Sequence, residues 1–134
     1  MIDTSNPYAL KKKVSTDYDT TISLIKAALA EQGFGILTEI DVAATLKKKL
    51  NVDTTRTIIL GACNPQLAHR AMGLVPDVSV FLPCNVVVRE SDSGEVEIAA
   101  LNPETMGQMI DHPGLVEVAD EANKRIRTAL GAVS

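Results

Sequence analysis

Hydrophobic and polar positions recur along this chain with two periods, and the period predicts which segments are helices and which are strands. Apolar residues at helical spacing indicate two long helices, over residues 18–32 and 113–131. Period-two alternation or a continuous apolar run predicts strands over residues 8–14, 34–40, 56–63, 78–89 and 95–101, with the segment 78–89 broken at Leu82-Pro83. The last helix should bury one stripe, which consists of Leu115, Val118, Ala119, Ala122, Ile126, Ala129 and Leu130.

Capping residues predict two shorter helices between the strands. Asp41 is placed to cap a helix over residues 42–50, in which Leu50 should point inward. Asn64 followed by proline is typical of a helix start, because asparagine caps and proline loses no needed N–H at the first position. We therefore expect another helix over residues 65–73.

The order of these elements predicts the fold class. Long amphipathic helices cannot bury their apolar stripes alone, so they should cover one face of a mostly antiparallel sheet. This is an α+β two-layer sandwich. A chain of 134 residues is long enough for a single domain with its own core. We expect that domain to span residues 1–134, with residues 1–7 as a flexible N-terminal segment.

Composition and charge exclude several classes of protein. Apolar residues make up 46% of the chain, which excludes a disordered protein. Aromatic residues make up only 3%, so a platform for stacking bases is not expected. The net charge of −4 also disfavours binding to nucleic acid, which requires a cationic surface. The two lysine runs, at 11–13 and 47–49, are interpreted as solvated surfaces, with a phosphate-binding patch as the lesser alternative.

The sequence predicts a cytoplasmic protein without a membrane segment. Its N-terminus lacks the basic flank and apolar stretch of a secretory signal. No apolar run approaches the roughly 20 residues that span a bilayer. In the cytoplasm, the two cysteines should be free thiols rather than a disulfide.

These two cysteines define the candidate site. Cys63 ends a predicted strand and Cys84 begins one, and each is followed by asparagine. If these two strands are antiparallel neighbours, both thiols lie at the same end of the sheet. Cys63 also directly precedes the helix cap at Asn64, where unpaired N–H groups would stabilise a thiolate.

Polar residues nearby could complete such a site. Asn64 and Asn85 could orient the thiols, and Glu39 and Asp41 could join them from a neighbouring strand. A soft metal could bind Cys63 and Cys84 with His69 as a weak third ligand. The competing interpretation is structural, because buried free cysteine behaves as a small hydrophobic residue. Under it, Asp41 is a helix cap and Glu39 an exposed side chain. No cofactor is specified by any motif.

Several phrases in a fixed order resemble the domain of unknown function 302 family. They read GFGILTEID at 33–41, ATLK at 44–47, LGACNP at 60–65 and LPCNVVV at 82–88. The resemblance extends over residues 8–130. It implies a β-α-β(4)-α fold of the TATA-binding-protein-like class, and it implies no enzymatic activity. The fold name alone does not imply DNA binding.

Two hypotheses for the function follow. The first is a small cytoplasmic module that binds a small ligand or a soft metal, or performs thiol chemistry, at Cys63 and Cys84. The alternative is a non-catalytic homodimeric interaction module in which both cysteines belong to the core. A homodimer is expected because a small open sheet leaves an exposed edge. Whether the protein is an enzyme stays open at this point.

Overall fold

The computed structural model describes all 134 residues and contains one sheet and five α-helices. The strands are β1 (Ala9–Val14), β2 (Gly35–Asp41), β3 (Thr57–Cys63), β4 (Cys84–Glu90) and β5 (Val96–Leu101). The helices are α1 (Tyr18–Glu31), α2 (Val42–Leu50), α3 (Pro65–Leu74), α4 (Glu104–Met109) and α5 (Pro113–Gly131), and a 3₁₀ helix covers Pro76–Phe81.

The five strands pair in the order β1-β5-β4-β3-β2, and every pair is antiparallel. Helices α1 and α5 pack against each other and share one core with the sheet. The α+β two-layer sandwich predicted from the sequence is therefore confirmed. β1 is one edge of the sheet, and Asp3 exchanges two backbone hydrogen bonds with Lys11 on its outer side. β2 is the other edge.

The core consists mostly of aliphatic side chains from one face of the sheet and one stripe of each long helix. All seven residues predicted for the stripe of α5 are buried. Across the sheet, a row of paired residues faces these helices and is fully buried: Leu10, Ala100, Val86 and Leu60. Burying a side chain of this size stabilises a fold by about 1.5–3 kcal/mol, so this layer dominates the stability.

Helix α1 begins and ends where its flanking residues satisfy the free backbone groups. Asp17 is the N-cap and accepts a hydrogen bond from the Thr20 N–H at 2.8 Å. Gly33 follows the helix with φ of +83°, a conformation that side chains with a Cβ rarely adopt. Phe34 then turns into the core, where it is 3% exposed.

The middle of the chain departs from the regular pattern in β2 and α2. A β-bulge between Ile36 and Thr38 interrupts the pairing of β2 with β3. Since one extra residue reverses the alternation, Ile36 packs against the core whereas Ile40 is 47% exposed. The period-two alternation from which the strand over residues 34–40 was predicted places Ile36 and Ile40 on the same face, and this part of the prediction is wrong. Helix α2 forms as predicted but buries no residue, and Leu50 is exposed rather than inward-facing.

The predicted strand over residues 78–89 begins only at Cys84. Its first part belongs to the 3₁₀ helix, in which Val78 is fully buried. Val78 and Val80 lie two residues apart, as in a half-buried strand, but Val78 is buried whereas Val80 is 83% exposed. No helix of the structure is both long and apolar enough to cross a membrane.

Gly61 is the position where strand packing tolerates no side chain. It pairs with Thr38 on one side and Asn85 on the other. A Cβ atom at Gly61 would overlap the Thr38 hydroxyl and lie 3.0 Å from Cγ of Pro83. The glycine therefore permits the close approach of β2 and of the chain that enters β4.

We expect Gly61→Ala to lower the free energy of unfolding by about 1–3 kcal/mol, because the methyl group overpacks the site. Gly73→Ala is the matched control, since beyond its chain neighbours and the backbone of helix α3 no atom lies within 4 Å of the added Cβ. Urea denaturation measures both. Adding Thr38→Ala to Gly61→Ala should recover part of the loss. Equal stability of the Gly61→Ala variant and the wild type would refute this packing account.

Candidate functional site

The two cysteines lie on adjacent strands at the same end of the sheet. Cys63 is the last residue of β3 and Cys84 is the first residue of β4. Because these strands are antiparallel, Cys84 pairs directly with Ala62, the residue before Cys63. The pairing that the sequence left as a condition is present in the structure. Both cysteines are free.

Cys63 and Cys84 are both lining residues of one small cavity, which we call the thiol pocket. It has a volume of about 30 Å³, which is room for one or two water-sized groups. The strands supply its floor, and helices α3, α4 and α5 supply its walls. Eleven of its twelve lining residues are hydrophobic. The lining consists of Phe34, Ala62, Cys63, Asn64, Leu67, Ala68, Ala71, Leu82, Cys84, Met106, Val118 and Ala122.

Cys84 is the buried member of the pair. It is 5% exposed, and it shares the helix-facing side of the sheet with its partner Ala62. Burial, together with a smaller electrostatic contribution from the neighbouring Cys63, raises the pKa of the Cys84 thiol from 9.0 to about 11. At neutral pH the Cys84 side chain is therefore an uncharged thiol, which suits the apolar lining of the pocket.

Cys63 is only partly buried, in contrast to Cys84. Its position is fixed by strand pairing and by the helix that follows it. It pairs with Gly35 of β2, and it directly precedes Asn64, the N-cap of helix α3. The chain thus turns from strand to helix at this residue, and Cys63 lies at the rim of the pocket.

Asn64 joins three elements behind the pocket. Its Oδ1 accepts a hydrogen bond from the Leu67 N–H at 3.2 Å, which caps helix α3. Its Nδ2 donates to the Gln32 carbonyl at 3.3 Å, just after helix α1. Arg125 of helix α5 donates to the same carbonyl at 3.1 Å. Asn64 is 6% exposed, and these bonds make it a structural support of the site.

Two of the predicted site residues lie on β2 away from the thiols. Glu39 pairs with Leu60, three residues and about 10 Å along β3 from Cys63, and its carboxylate binds Lys26 at 2.6 Å. Asp41 is farther still and caps helix α2, accepting a hydrogen bond from the Ala44 N–H at 2.9 Å. Neither residue lines the pocket, so the structure does not bring them to the cysteines.

Asn85 and His69 are also separate from the pocket. Asn85 is exposed on the opposite face of the sheet, where it pairs with Gly61. His69 is exposed on helix α3. No three His, Cys, Asp or Glu side chains lie close enough together to hold a metal ion. The pocket therefore unites only Cys63, Cys84 and Asn64 from the predicted set.

Comparison with known proteins agrees with this fold. A family model described as "Domain of unknown function DUF302" matches residues 10–133. The chain belongs to the DUF302 family. The crystal structure of an uncharacterized conserved DUF302 protein from Bacillus stearothermophilus is similar over 96% of this chain and 100% of that chain. The TM-score is 0.89 and the sequence identity is 32%. No curated protein sequence matches the chain.

Most of the residues that line the thiol pocket of this DUF302 domain were not predicted as site residues from the sequence. Phe34, Leu67 and Met106 come from distant parts of the chain and carry no chemical signal of a site. Val118 and Ala122 were predicted, but only as part of the buried stripe of α5. Aliphatic residues in a sequence indicate which positions are buried, and only the folded chain shows which of them border a cavity.

We expect Asn64→Ala to lower the free energy of unfolding of this DUF302 domain by about 1–3 kcal/mol, because it removes a helix cap and a buried donor. Asn85→Ala is the matched control, and its exposed side chain should contribute less than about 0.5 kcal/mol. Thermal and urea unfolding compare the two. Equal losses in both variants would contradict the structural role of Asn64.

The raised pKa of Cys84 predicts how stability depends on pH. A thiol whose pKa is higher in the folded than in the unfolded protein stabilises the fold fully below the unfolded pKa, and this contribution is lost as pH rises. The pH range in which this contribution is lost runs from 9.0, the ordinary pKa of the thiol, to about 11, the raised pKa of Cys84. Across this pH range we expect the free energy of unfolding of the wild type to fall by on the order of 2–3 kcal/mol more than that of Cys84→Ala. Urea denaturation across this range measures the difference, and parallel pH profiles would disprove it.

Proposed function

We propose that this DUF302 domain is a binding module that holds the apolar end of a small uncharged molecule in the thiol pocket, with Cys63 at its entrance. The observation that carries the proposal is the lining of the cavity at the end of the sheet. Eleven of its twelve lining residues are hydrophobic, and they include one buried cysteine and one partly exposed cysteine. Small-molecule sites are concave and mostly apolar, with few polar groups that fix orientation.

The chemistry of the lining favours binding over catalysis. The pocket carries no carboxylate and no imidazole, which are the usual groups for acid–base catalysis. Cys84, whose pKa is raised to about 11, stays protonated at neutral pH. The only polar side chain in the lining is Asn64, and both ends of its amide are already bonded.

The same observations favour an uncharged ligand over a soft metal. A thiolate metal site requires charged sulfur ligands and further donors around the ion. Burial disfavours the charged form of Cys84, and no third ligating side chain lies near the pair. An apolar group, in contrast, gains from leaving water for this lining without any compensating charge.

Two neighbouring thiols also favour a reducing compartment. Cys63 and Cys84 are both free and line the same cavity. Such thiols persist in the cytoplasm, where they are kept reduced, and we place the protein there.

Thiosulfonate reagents test the proposal, because they transfer a sulfenyl group to a thiol and release sulfinate. An uncharged short-chain alkyl reagent should label Cys63 in the native protein roughly tenfold or more faster than an anionic reagent of similar size, since the pocket excludes charge. Cys84 should react only after unfolding. Mass spectrometry of the labelled protein measures both rates and both positions.

Two variants serve as controls for this labelling. Cys63→Ala should abolish native labelling, whereas Cys84→Ala should retain it. Equal rates for the neutral and anionic reagents would count against an apolar binding pocket. If neither cysteine reacts before unfolding, the cysteines are core residues and the alternative of a non-catalytic interaction module replaces this proposal.

A further inference from the structure

Helix α5 differs from the other side-chain-capped helices of this chain, because its cap is a histidine. Asp17, Asp41 and Asn64 cap α1, α2 and α3, and aspartate and asparagine are among the preferred capping residues. At the start of α5 the cap is His112, whose Nδ1 accepts a hydrogen bond from the Gly114 N–H at 3.1 Å.

This cap works only while the imidazole ring is uncharged. A ring nitrogen accepts a hydrogen bond only when it carries no proton, and a charged imidazole has two donors and no acceptor. A proton on Nδ1 of His112 therefore breaks the bond and leaves two N–H groups facing each other. It also places a positive charge at the N-terminus of α5, where the helix dipole is already positive. Imidazole is the side chain that ordinarily changes its charge between about pH 5 and pH 8.

No neighbouring charge takes over the role of the cap. His112 takes part in no ion pair, so the Gly114 N–H is the partner of its Nδ1. The charged and titratable side chains of the surrounding elements are His69 and Arg70 of α3, Asp77 of the 3₁₀ helix, Glu104 of α4, and Asp111, Glu117 and Asp120 before and within the first turns of α5.

The three helices that form the walls of the thiol pocket meet at this capped turn. Leu115 of the turn is fully buried. The end of α3 lies against the turn, since a Cβ atom at Gly114 would be 2.9 Å from Cδ1 of Leu74. Helix α4 approaches it closely as well, since a Cβ atom at Gly107 would be 3.5 Å from Cα of Val116. Release of the turn therefore loosens the contacts of α5 with both neighbouring helices.

The pocket lining lies next to these contacts along the chain. Met106 of α4 precedes Gly107, and Val118 of α5 lies one helical turn after Gly114. Both side chains line the thiol pocket, and both are buried. The cap of α5 thus controls the part of the wall that these two residues form.

We propose that His112 is a pH-sensitive cap that regulates access to the thiol pocket. The uncharged ring holds the start of α5 against α3 and α4. As the pH falls and the ring gains a proton, the cap is lost and the wall at Met106 and Val118 opens. The inference rests on the proposed function only in taking the thiol pocket as the binding site.

Amide hydrogen exchange at about pH 7.5 and about pH 5 tests this cap. The protection factors of the Val116, Val118 and Met106 amides, which are corrected for the intrinsic effect of pH, should fall roughly fivefold or more at the lower pH. These amides should also exchange faster than the amide of Val88, a fully buried residue of the central strand β4. The difference shows that the turn opens locally and not through unfolding of the whole chain.

His112→Asn is the decisive variant, because its side-chain oxygen caps the helix at both pH values and should abolish the fall in protection. His112→Asp should behave in the same way. His69→Asn is the matched control, since His69 is the other of the two histidines and is exposed on α3. It should retain the fall of the wild type.

A fall in the wild type and in His69→Asn, but in neither variant of His112, supports the proposal. Constant protection in the wild type overturns it, as does an equal fall in His112→Asn or a loss of the fall in His69→Asn. Exchange of the α4 and α5 amides no faster than that of Val88 also overturns it. Hydrogen exchange uses neither a thiol nor a ligand, so failure here is distinct from failure of the labelling that tests the proposed function.

Discussion

The rest of the structure depends on one aliphatic layer, which is buried between a single face of the sheet and helices α1 and α5. With two phenylalanines and no tryptophan in the chain, this layer is built mostly from leucine, isoleucine, valine and alanine. Small side chains let the helices lie close to the strands, and the free energy comes from many modest contributions. Because only one face is covered in this way, every strand has a buried side and an open side.

The edges of this layer are closed by charged side chains. Glu39 continues the buried row through Leu60 to the edge of the sheet, where Lys26 of helix α1 binds its carboxylate. At the opposite edge, Lys12 donates to the Leu130 carbonyl at 3.0 Å near the end of helix α5. Both lysines join a helix to the sheet. The Glu39 carboxylate, which the sequence suggested as part of a chemical site, therefore joins helix α1 to the sheet at the margin of the core.

The end of the sheet at Cys63 has a different character, since helices α3, α4 and α5 close over it without filling it. Asn64 fixes this arrangement by capping α3 and binding the Gln32 carbonyl, which Arg125 also binds. The two thiols then differ because of position alone. Cys84 starts a central strand and is covered by helices, whereas Cys63 ends its strand at the turn into α3. The same residue type is thus neutral and enclosed in one place and only partly buried in the other.

The sequence by itself determined the types of most elements, the fold class and the stripe of α5, and it placed both cysteines at strand ends. These features follow from local periodicity, from caps such as Asp41 and Asn64, and from the antiparallel order of adjacent strands. Only the tertiary structure decided the bulge after Ile36, the exposure of helix α2, and the separation of Glu39 and Asp41 from the thiols. Each of these depends on strand register and on packing between residues distant in sequence, such as Thr38 against Gly61, and no local pattern records such contacts.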